Sequence, residues 1–246
     1  MPTMNIVAAG PGAQFDGNNT ATKRGHPLGS AMQFADGRRY RYARAGASVA
    51  LVAAMLNQST LPSVDFDELV VPTARAIGDR RITVTTGSTG AAVDLLADGY
   101  LNVEDDAGEG YLYTIKSNAA AGATAALTID LFEQLQVAWT TSTTVGIVVN
   151  PYALTIIHPS PATSMLTGVS VGVVAVNNYG WLQVAGPASV RTEGTVIINE
   201  RVIDSASADG AVAPTASTAA GEEHNVGVVM EVAATTEQSL IYLTIS

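Results

Sequence analysis

Residues 100–115 read Tyr100-Leu-Asn-Val-Glu104, then Asp105-Asp-Ala-Gly-Glu-Gly110, then Tyr111-Leu-Tyr-Thr-Ile115. The two outer segments alternate apolar and polar side chains, which is the period of a β-strand with one buried face. The middle segment consists mainly of Asp and Gly, which are turn-forming residues. This pattern predicts a β-hairpin, with Leu101 and Val103 on one face and Leu112 opposite them.

Similar short runs rich in Val, Ile, Thr and Tyr recur along the rest of the chain, separated by Gly, Asn and Asp. A second hairpin is predicted from residues 172–176 and 181–184, joined by Asn177-Asn-Tyr-Gly180, because Asn and Gly tolerate the backbone angles of tight turns. Several runs are apolar on both sides, so we expect them inside a sandwich or against another subunit. Further strands are predicted at residues 82–86, 125–131, 145–149, 153–157, 195–199, 226–232 and 240–245.

Helix is predicted at only two places. Residues 47–57 fit a helix or, nearly as well, a buried strand, and residues 91–97 fit a short helix that ends at Asp98-Gly99. Residues 203–221 are small, polar and unpatterned, and are predicted to form a loop. The predicted fold class is therefore all-β, with an extended N-terminal arm followed by β-sandwich or barrel-like units and very little helix.

Charge is distributed unevenly along the chain. Residues 1–81 hold nine Lys and Arg and six Asp and Glu, for a net charge of +3, whereas residues 82–246 hold three and sixteen, for a net charge of -13. The prolines in His158-Pro-Ser-Pro161 favour an extended linker. These features predict three parts: an extended basic arm at 1–46, a first β domain at 47–158 and a second at 159–246. A basic arm on an acidic body implies contact with an acidic surface.

The composition excludes several classes of protein. With 47% hydrophobic and 14% charged residues, the 246-residue chain is neither disordered nor a coiled coil. It has no Cys, which excludes disulfides, thiolate metal sites and a cysteine nucleophile. The net charge of -10 argues against nucleic-acid binding. No apolar run approaches the roughly 18 residues of a membrane-spanning helix, and the first residues lack the features of a secretion signal, so we expect neither membrane insertion nor export.

Three features of the sequence bear on catalysis. Gly168-Val-Ser170-Val-Gly172 matches the nucleophile motif of α/β-hydrolases, but a strand pattern follows it where that motif needs a helix, so we interpret it as a chance match inside a strand. His26, His158 and His224 lie in separate loops and are interpreted as surface or turn histidines. The chain also lacks a phosphate-binding loop. We therefore expect no catalytic residue, no metal and no cofactor.

The hairpin tip is densely acidic. Glu104, Asp105, Asp106 and Glu109 could hold a calcium ion, although their order differs from that of an EF-hand. Asp and Gly are also the usual residues of a solvated turn. We favour the solvated tip over the calcium site.

A basic stretch reads Asp36-Gly-Arg-Arg-Tyr-Arg-Tyr-Ala-Arg-Ala-Gly46. Strand alternation places Arg39 and Arg41 on one face, and the other face carries two tyrosines with further arginines. Arg and Tyr are common in interface hot spots, but charge also protects ordinary edge strands, so the pattern fits both an interface strand and an edge strand. The candidate partner-binding residues are Arg38, Arg39, Tyr40, Arg41, Tyr42 and Arg44.

This stretch, preceded by Gly25-His-Pro-Leu-Gly29, resembles the opening of virion structural proteins of tailed bacteriophages. The resemblance continues through Asn150-Pro-Tyr152 and Gly180-Trp-Leu-Gln-Val-Ala-Gly-Pro187, and also includes residues 99–103 and 108–115. Residues 226–230 and 240–245 are similar to phage capsid-decoration β-domains. The resemblance covers most of the chain and carries no catalytic residue.

The resemblance implies a head protein, namely a decoration or cement protein that binds the major capsid protein and reinforces the lattice on the capsid exterior after synthesis in the host cytoplasm. Strands apolar on both faces, in a chain with few aromatic residues, predict a homo-oligomer, and similarity to decoration proteins at local threefold positions implies a trimer. A tail, neck or baseplate protein is one alternative. A secreted carbohydrate-binding module is a second, and an esterase built on Ser170 is the weakest.

Overall fold

The structure, a computed structural model, describes residues 6–8, 21–215 and 224–245, with only the backbone for residues 6–8. Within these ranges the chain is nearly all β, with no α-helix, and forms a half-barrel sheet and a nearly closed barrel-like sheet. The predicted fold class is confirmed. Much of the predicted arm, residues 1–5 and 9–20, lies outside the described residues. The strands are β1 (Ile6–Ala8), β2 (Ala31–Gln33), β3 (Arg39–Arg44), β4 (Leu56–Gln58), β5 (Leu69–Val70), β6 (Arg81–Thr85), β7 (Tyr100–Asp105), β8 (Leu112–Asn118), β9 (Ala126–Leu131), β10 (Thr144–Val148), β11 (Ile156–Ile157), β12 (Leu166–Ser170), β13 (Tyr179–Arg191), β14 (Arg201–Asp204), β15 (Val212–Pro214), β16 (Asn225–Glu231) and β17 (Gln238–Thr244).

The first compact unit spans residues 62–150 and is built on a six-stranded sheet in the order β5-β10-β7-β8-β9-β6. Its neighbouring strands pair antiparallel. Alternate side chains of each strand point to one face, so the sheet buries one apolar row per strand. The resulting core includes Ile82, Leu101, Tyr113, Ile129 and Ile147, one from each of β6, β7, β8, β9 and β10.

The predicted hairpin at residues 100–115 is confirmed as β7 and β8. Leu101 and Val103 are buried as expected, but Tyr113, not Leu112, lies opposite Leu101. Leu112 pairs with Asn102 on the exposed face. The difference is one residue of register, and in a strand one residue reverses the face to which every side chain points.

The second compact unit joins the described residues before 62 to those after 150 and is built on an eleven-stranded sheet. The long strand β13 is its centre, since its first half pairs with β3 and β12 and its second half pairs with β17. Gly186 lies at the transition with a φ of +82°, and a Cβ there would lie 3.0 Å from the Arg38 Cγ atom. The main path of the sheet runs β1-β2-β3-β13-β17-β16-β14-β15.

This division differs from the predicted parts at 1–46, 47–158 and 159–246. The first unit ends near Asn150, and β4 pairs with both β11 and β12, so residues before 62 and after 150 share one sheet. His158, placed in a linker by the sequence, is buried, and its backbone N–H donates to the Leu56 carbonyl. Pairing between segments about a hundred residues apart leaves no local mark in a sequence.

The strands predicted at 82–86, 125–131, 145–149, 226–232 and 240–245 are confirmed with small shifts at their ends. In the 153–157 stretch only Ile156–Ile157 forms a strand. Residues 172–176 and 195–199 are not strands, and the predicted loop at 203–221 contains β15. The second hairpin is therefore formed by β12 and β13.

Both predicted helices are wrong. Ala54 and Asp94 have positive φ angles of 64° and 55°, which a right-handed helix does not accept. In the first segment, Leu51 forms an isolated bridge with Val174 before β4 begins. The described part of the chain includes no helix able to traverse a bilayer.

Candidate functional site

The basic stretch forms β3, which lies inside the sheet of the second unit. It pairs with β2 on one side and β13 on the other. Arg41 therefore lies between Ala31 and Leu182, and β3 is not an edge strand. The interpretation of charge that protects a sheet edge is wrong.

The two tyrosines of β3 belong to the core. Tyr40 and Tyr42 are 0% exposed and pack in a cluster with Phe34, Met32 and Trp181. The ring of Tyr42 lies 5.0 Å from that of Trp181, its partner in register on β13. Burial raises the pKa of both phenols. Neither tyrosine offers area to another protein in this fold, which corrects their predicted contact role.

Three of the four arginines are engaged within the chain. Arg38 forms an ion pair with Asp36, with 2.8 Å between Nε and Oδ2, and its guanidinium lies over the Phe34 ring. Arg44 donates to the Asn177 side-chain oxygen, and Arg41 donates to the Gly29 carbonyl. Because the Arg38 backbone N–H and guanidinium both donate to it, the pKa of the Asp36 carboxyl is lowered.

Arg39 is the exposed arginine of this strand. No hydrogen bond or ion pair joins its guanidinium to a described residue. It points to the same face as Arg41, as the alternation predicts. Of the six candidate residues, Arg39 is the one best placed to meet a partner.

The three histidines are not brought together. His26 packs against the rings of Tyr42 and Trp181, and His158 is buried with both ring nitrogens near the carbonyl oxygens of Pro159 and Ala211. Its predicted position at the surface is therefore wrong. His224 is exposed, and its Nδ1 lies 3.4 Å from Asp204 Oδ1. Among the described residues, His, Asp and Glu form no group of three or more that could hold a metal ion.

Ser170 is the last residue of β12 and is fully buried. Its hydroxyl donates to the Val52 carbonyl and accepts from the Asn57 side-chain amide. Gly168 has a φ of +127° at a register shift in β12, and a Cβ there would lie 2.7 Å from the Gln183 carbonyl oxygen. The first three residues of the motif thus lie in a strand, as interpreted, but β12 ends at Ser170 and residues 172–176 do not continue it.

Three of the four acidic side chains at the hairpin tip, those of Glu104, Asp105 and Asp106, have separate partners. Asp106 accepts from the hydroxyls of Thr140 and Thr143, and the Thr140 contact is the main cause of its lowered pKa. Asp105 accepts from the Asp106 backbone N–H at 2.8 Å. Glu104 turns away from the tip and accepts from the Glu68 backbone N–H at 3.1 Å. The tip carboxylates thus hold the turn in place.

A groove of about 300 Å³ lies on the first unit, and no sequence pattern predicted it. One side is the segment 62–67, which includes the 3-10 turn Val64–Phe66, and the other side is formed by β10 and β7. Gly146 lies at its base beneath the Glu104 side chain. A glycine within a strand pattern indicates that another group approaches the backbone closely, so Gly146 was the signal of this groove that the sequence offered.

Comparison with known protein families, with curated proteins and with solved structures finds no significant match. The assignment of a function therefore depends on the residues and surfaces described above.

Proposed function

We propose that the chain is a non-enzymatic structural protein of a tailed-phage virion, most specifically a decoration or cement protein that binds the major capsid protein lattice and stabilises the head. The sequence support is the resemblance described above. Two of the stretches that carry it, residues 34–46 and 180–187, are neighbours in the fold, because β3 and β13 pair in register. They form the aromatic cluster around Trp181.

The observation that carries the proposal is an apolar surface around β16 and β17. Met230 and Tyr242 are exposed on these strands, and the nearby turn exposes Ile197 and Ile198. The turn is bound to β16 through the Asn199 N–H and the Val229 carbonyl, 2.9 Å apart. Large exposed apolar side chains on paired strands and on the turn bonded to them are typical of a protein-binding surface.

The conspicuous polar groups support a structural role, since they are engaged within the fold. The Ser170 hydroxyl and both His158 ring nitrogens contact backbone carbonyls, and Asp106 accepts from threonine hydroxyls. A nucleophile or base must instead have access to its substrate. In this proposal the chain is on the capsid exterior as a trimer and makes contact mainly through apolar area, with Arg39 as a charged contact.

Quantitative mass spectrometry of purified virions tests the assignment. We expect a copy number comparable to that of the major capsid protein. A few copies per particle would assign the chain to the tail, neck or baseplate instead. Absence from virions would overturn the proposal, and glycan binding by the purified chain would then favour the carbohydrate-binding alternative.

A matched pair of variants tests the surface. Ile198→Asp should lower capsid occupancy, because a carboxylate replaces apolar contact area. Ile77→Asp is the control: it changes a similarly exposed isoleucine in the other unit and should leave capsid occupancy unchanged. Arg39→Glu should lower occupancy more at low salt than at high salt, because salt screens exposed charges. Equal occupancy for all three variants would contradict this choice of surface.

A further inference from the structure

Two segments of the second unit lie side by side at its surface. Leu51 and Val174 form an antiparallel bridge, in which each backbone N–H donates to the other residue's carbonyl, at 2.9 and 3.0 Å. One further backbone hydrogen bond on each side of the bridge, at 2.7 and 3.2 Å, holds residues 46–54 beside residues 170–177. We call this pair of segments the valine ribbon.

The valine ribbon has a buried side and an exposed side, and both are apolar. Leu51 and Val174 are buried in a core cluster with Leu182, which anchors the ribbon to the sheet. The exposed side carries four valines, each between 41% and 58% exposed: Val49, Val52, Val173 and Val176. Apolar side chains grouped in this way on bonded segments are typical of an interaction site.

The valine ribbon contains no charged residue. Residues 45–61 and 159–190 include no Asp, Glu, Lys or Arg, although the chain has 12 Lys and Arg and 22 Asp and Glu. Arg44 and Arg191 lie at the two ends of the ribbon, and both guanidinium groups donate hydrogen bonds to oxygen atoms of this chain. The ribbon is therefore a neutral surface on a chain whose net charge is -10.

This neutrality indicates which partner the valine ribbon fits. A different protein can be attracted by the excess of carboxylates on this chain, but a second copy carries the same excess and is repelled by it. Two copies therefore repel each other least where the surfaces in contact have no carboxylate. At such a surface the attraction comes from burial of apolar area, which the exposed valines provide.

We propose that the valine ribbon is the surface through which this chain contacts its own copies, with Val52 and Val173 at the centre of the contact. A threefold axis beside the ribbon brings the same valines of three copies together. The surface around β16 and β17, which is formed by other residues, is then left for the capsid. The inference rests on the proposed function for the trimer and deepens it, because it assigns the residues of the trimer interface.

Sedimentation equilibrium of the full chain over a range of concentrations and salt tests the inference. We expect a trimer that forms more tightly at high salt than at low salt, because salt screens the repulsion between acidic copies and leaves the apolar attraction in place. A monomer at every concentration would overturn the inference. An association that weakens as salt is added would also overturn it, since ion pairs would then hold the copies together.

Three variants that each add one carboxylate test the surface. Val52→Asp and Val173→Asp should each weaken association about tenfold or more, because a carboxylate then faces a second copy. Val93→Asp is the matched control: it adds the same charge at a 67% exposed valine of the other unit and should leave the trimer unchanged. Urea unfolding identifies the variants that are folded, and Val52→Ser replaces any aspartate variant that is not.

The outcomes for the interface and for the proposed function are distinguishable. An unchanged trimer in the folded variants at positions 52 and 173 would overturn the inference and assign the contact between copies to another surface. Virion composition tests the proposed function independently. A monomer found in virions at the expected copy number would overturn only the interface, whereas a trimer that depends on Val52 but is absent from virions would overturn only the function.

Discussion

Gly146 lies directly beneath Glu104, so that a Cβ at position 146 would be 2.0 Å from Glu104 Oε1. The glycine allows the carboxylate to lie across β10 and reach the Glu68 backbone N–H. It also leaves the base of the groove free of a side chain. One residue without a side chain therefore determines both the position of the charge and the shape of the groove.

Replacement of Gly146 by alanine should displace the Glu104 carboxylate toward solvent and lower its raised pKa toward the ordinary value of a glutamate. A carboxyl whose folded pKa is raised stabilises the fold at low pH, and this contribution is lost as the pH rises through the folded pKa. The contribution of Glu104 to the pH dependence of the unfolding free energy should therefore be smaller in Gly146→Ala. A ¹³C titration of the Glu104 carboxyl measures the pKa. Gly122→Ala, which adds its Cβ in open space, is the control, and an unchanged Glu104 pKa in Gly146→Ala would contradict the geometry.

Tyr42 and Arg39 should differ sharply in their effect on stability, although both are in β3. Tyr42→Ala should cost about 3–5 kcal/mol of unfolding free energy, because it empties part of the aromatic cluster. Tyr42→Phe should cost about 1 kcal/mol, since it removes only the contact from the Gly25 N–H at 3.1 Å. Arg39→Ala should change stability by less than about 0.5 kcal/mol. Urea unfolding measures all three, and a small loss for Tyr42→Ala would place that side chain at the surface.

Gln58 connects β4 to the segment that follows the Ser160-Pro161 bond. It is 1% exposed, its Oε1 accepts from the backbone N–H groups of Thr163 and Ser164, and its Nε2 donates to the Thr163 hydroxyl. Gln58→Leu should cost about 1–3 kcal/mol for each polar group left buried and unpaired. The exposed Gln136, changed to leucine, is the control. Thermal unfolding of both variants decides the point, and equal midpoints would show that water replaces the Gln58 contacts.

Ser170 should not react with a fluorophosphonate probe, because its hydroxyl is buried and donates to the Val52 carbonyl. Ser170→Ala should cost about 1–3 kcal/mol, as expected for the loss of a buried hydrogen bond. Ser189→Ala, at an exposed position of β13, should cost less than about 0.5 kcal/mol. Intact-mass measurement after exposure to the probe gives the result directly, and labelling at Ser170 would revive the esterase interpretation.

Local patterns predicted the parts of the fold that depend on neighbouring residues. The hairpin of β7 and β8 follows from alternation and from the Asp and Gly of its turn, and both are visible within residues 100–115. The strands near residues 82, 126, 145, 226 and 240 follow from the same signal. The helices predicted at 47–57 and 91–97 failed because single residues at positive φ, Ala54 and Asp94, bend the chain. Neither alanine nor aspartate in a sequence indicates that its backbone φ will be positive.

The sequence by itself determined that the chain is all-β, that it has no thiol chemistry and that it is acidic after residue 81. Only the tertiary structure decided that β4 joins β11 and β12, that Tyr42 packs against Trp181 and that residues 62–67 form a groove with β7 and β10. The physical reason is the range of the interactions: backbone propensity and alternation act between near neighbours, whereas strand pairing joins residues that are distant in sequence. Burial of a given side chain depends on which distant strand covers it, and for that reason the tyrosines of β3 looked available in the sequence and are core residues in the fold.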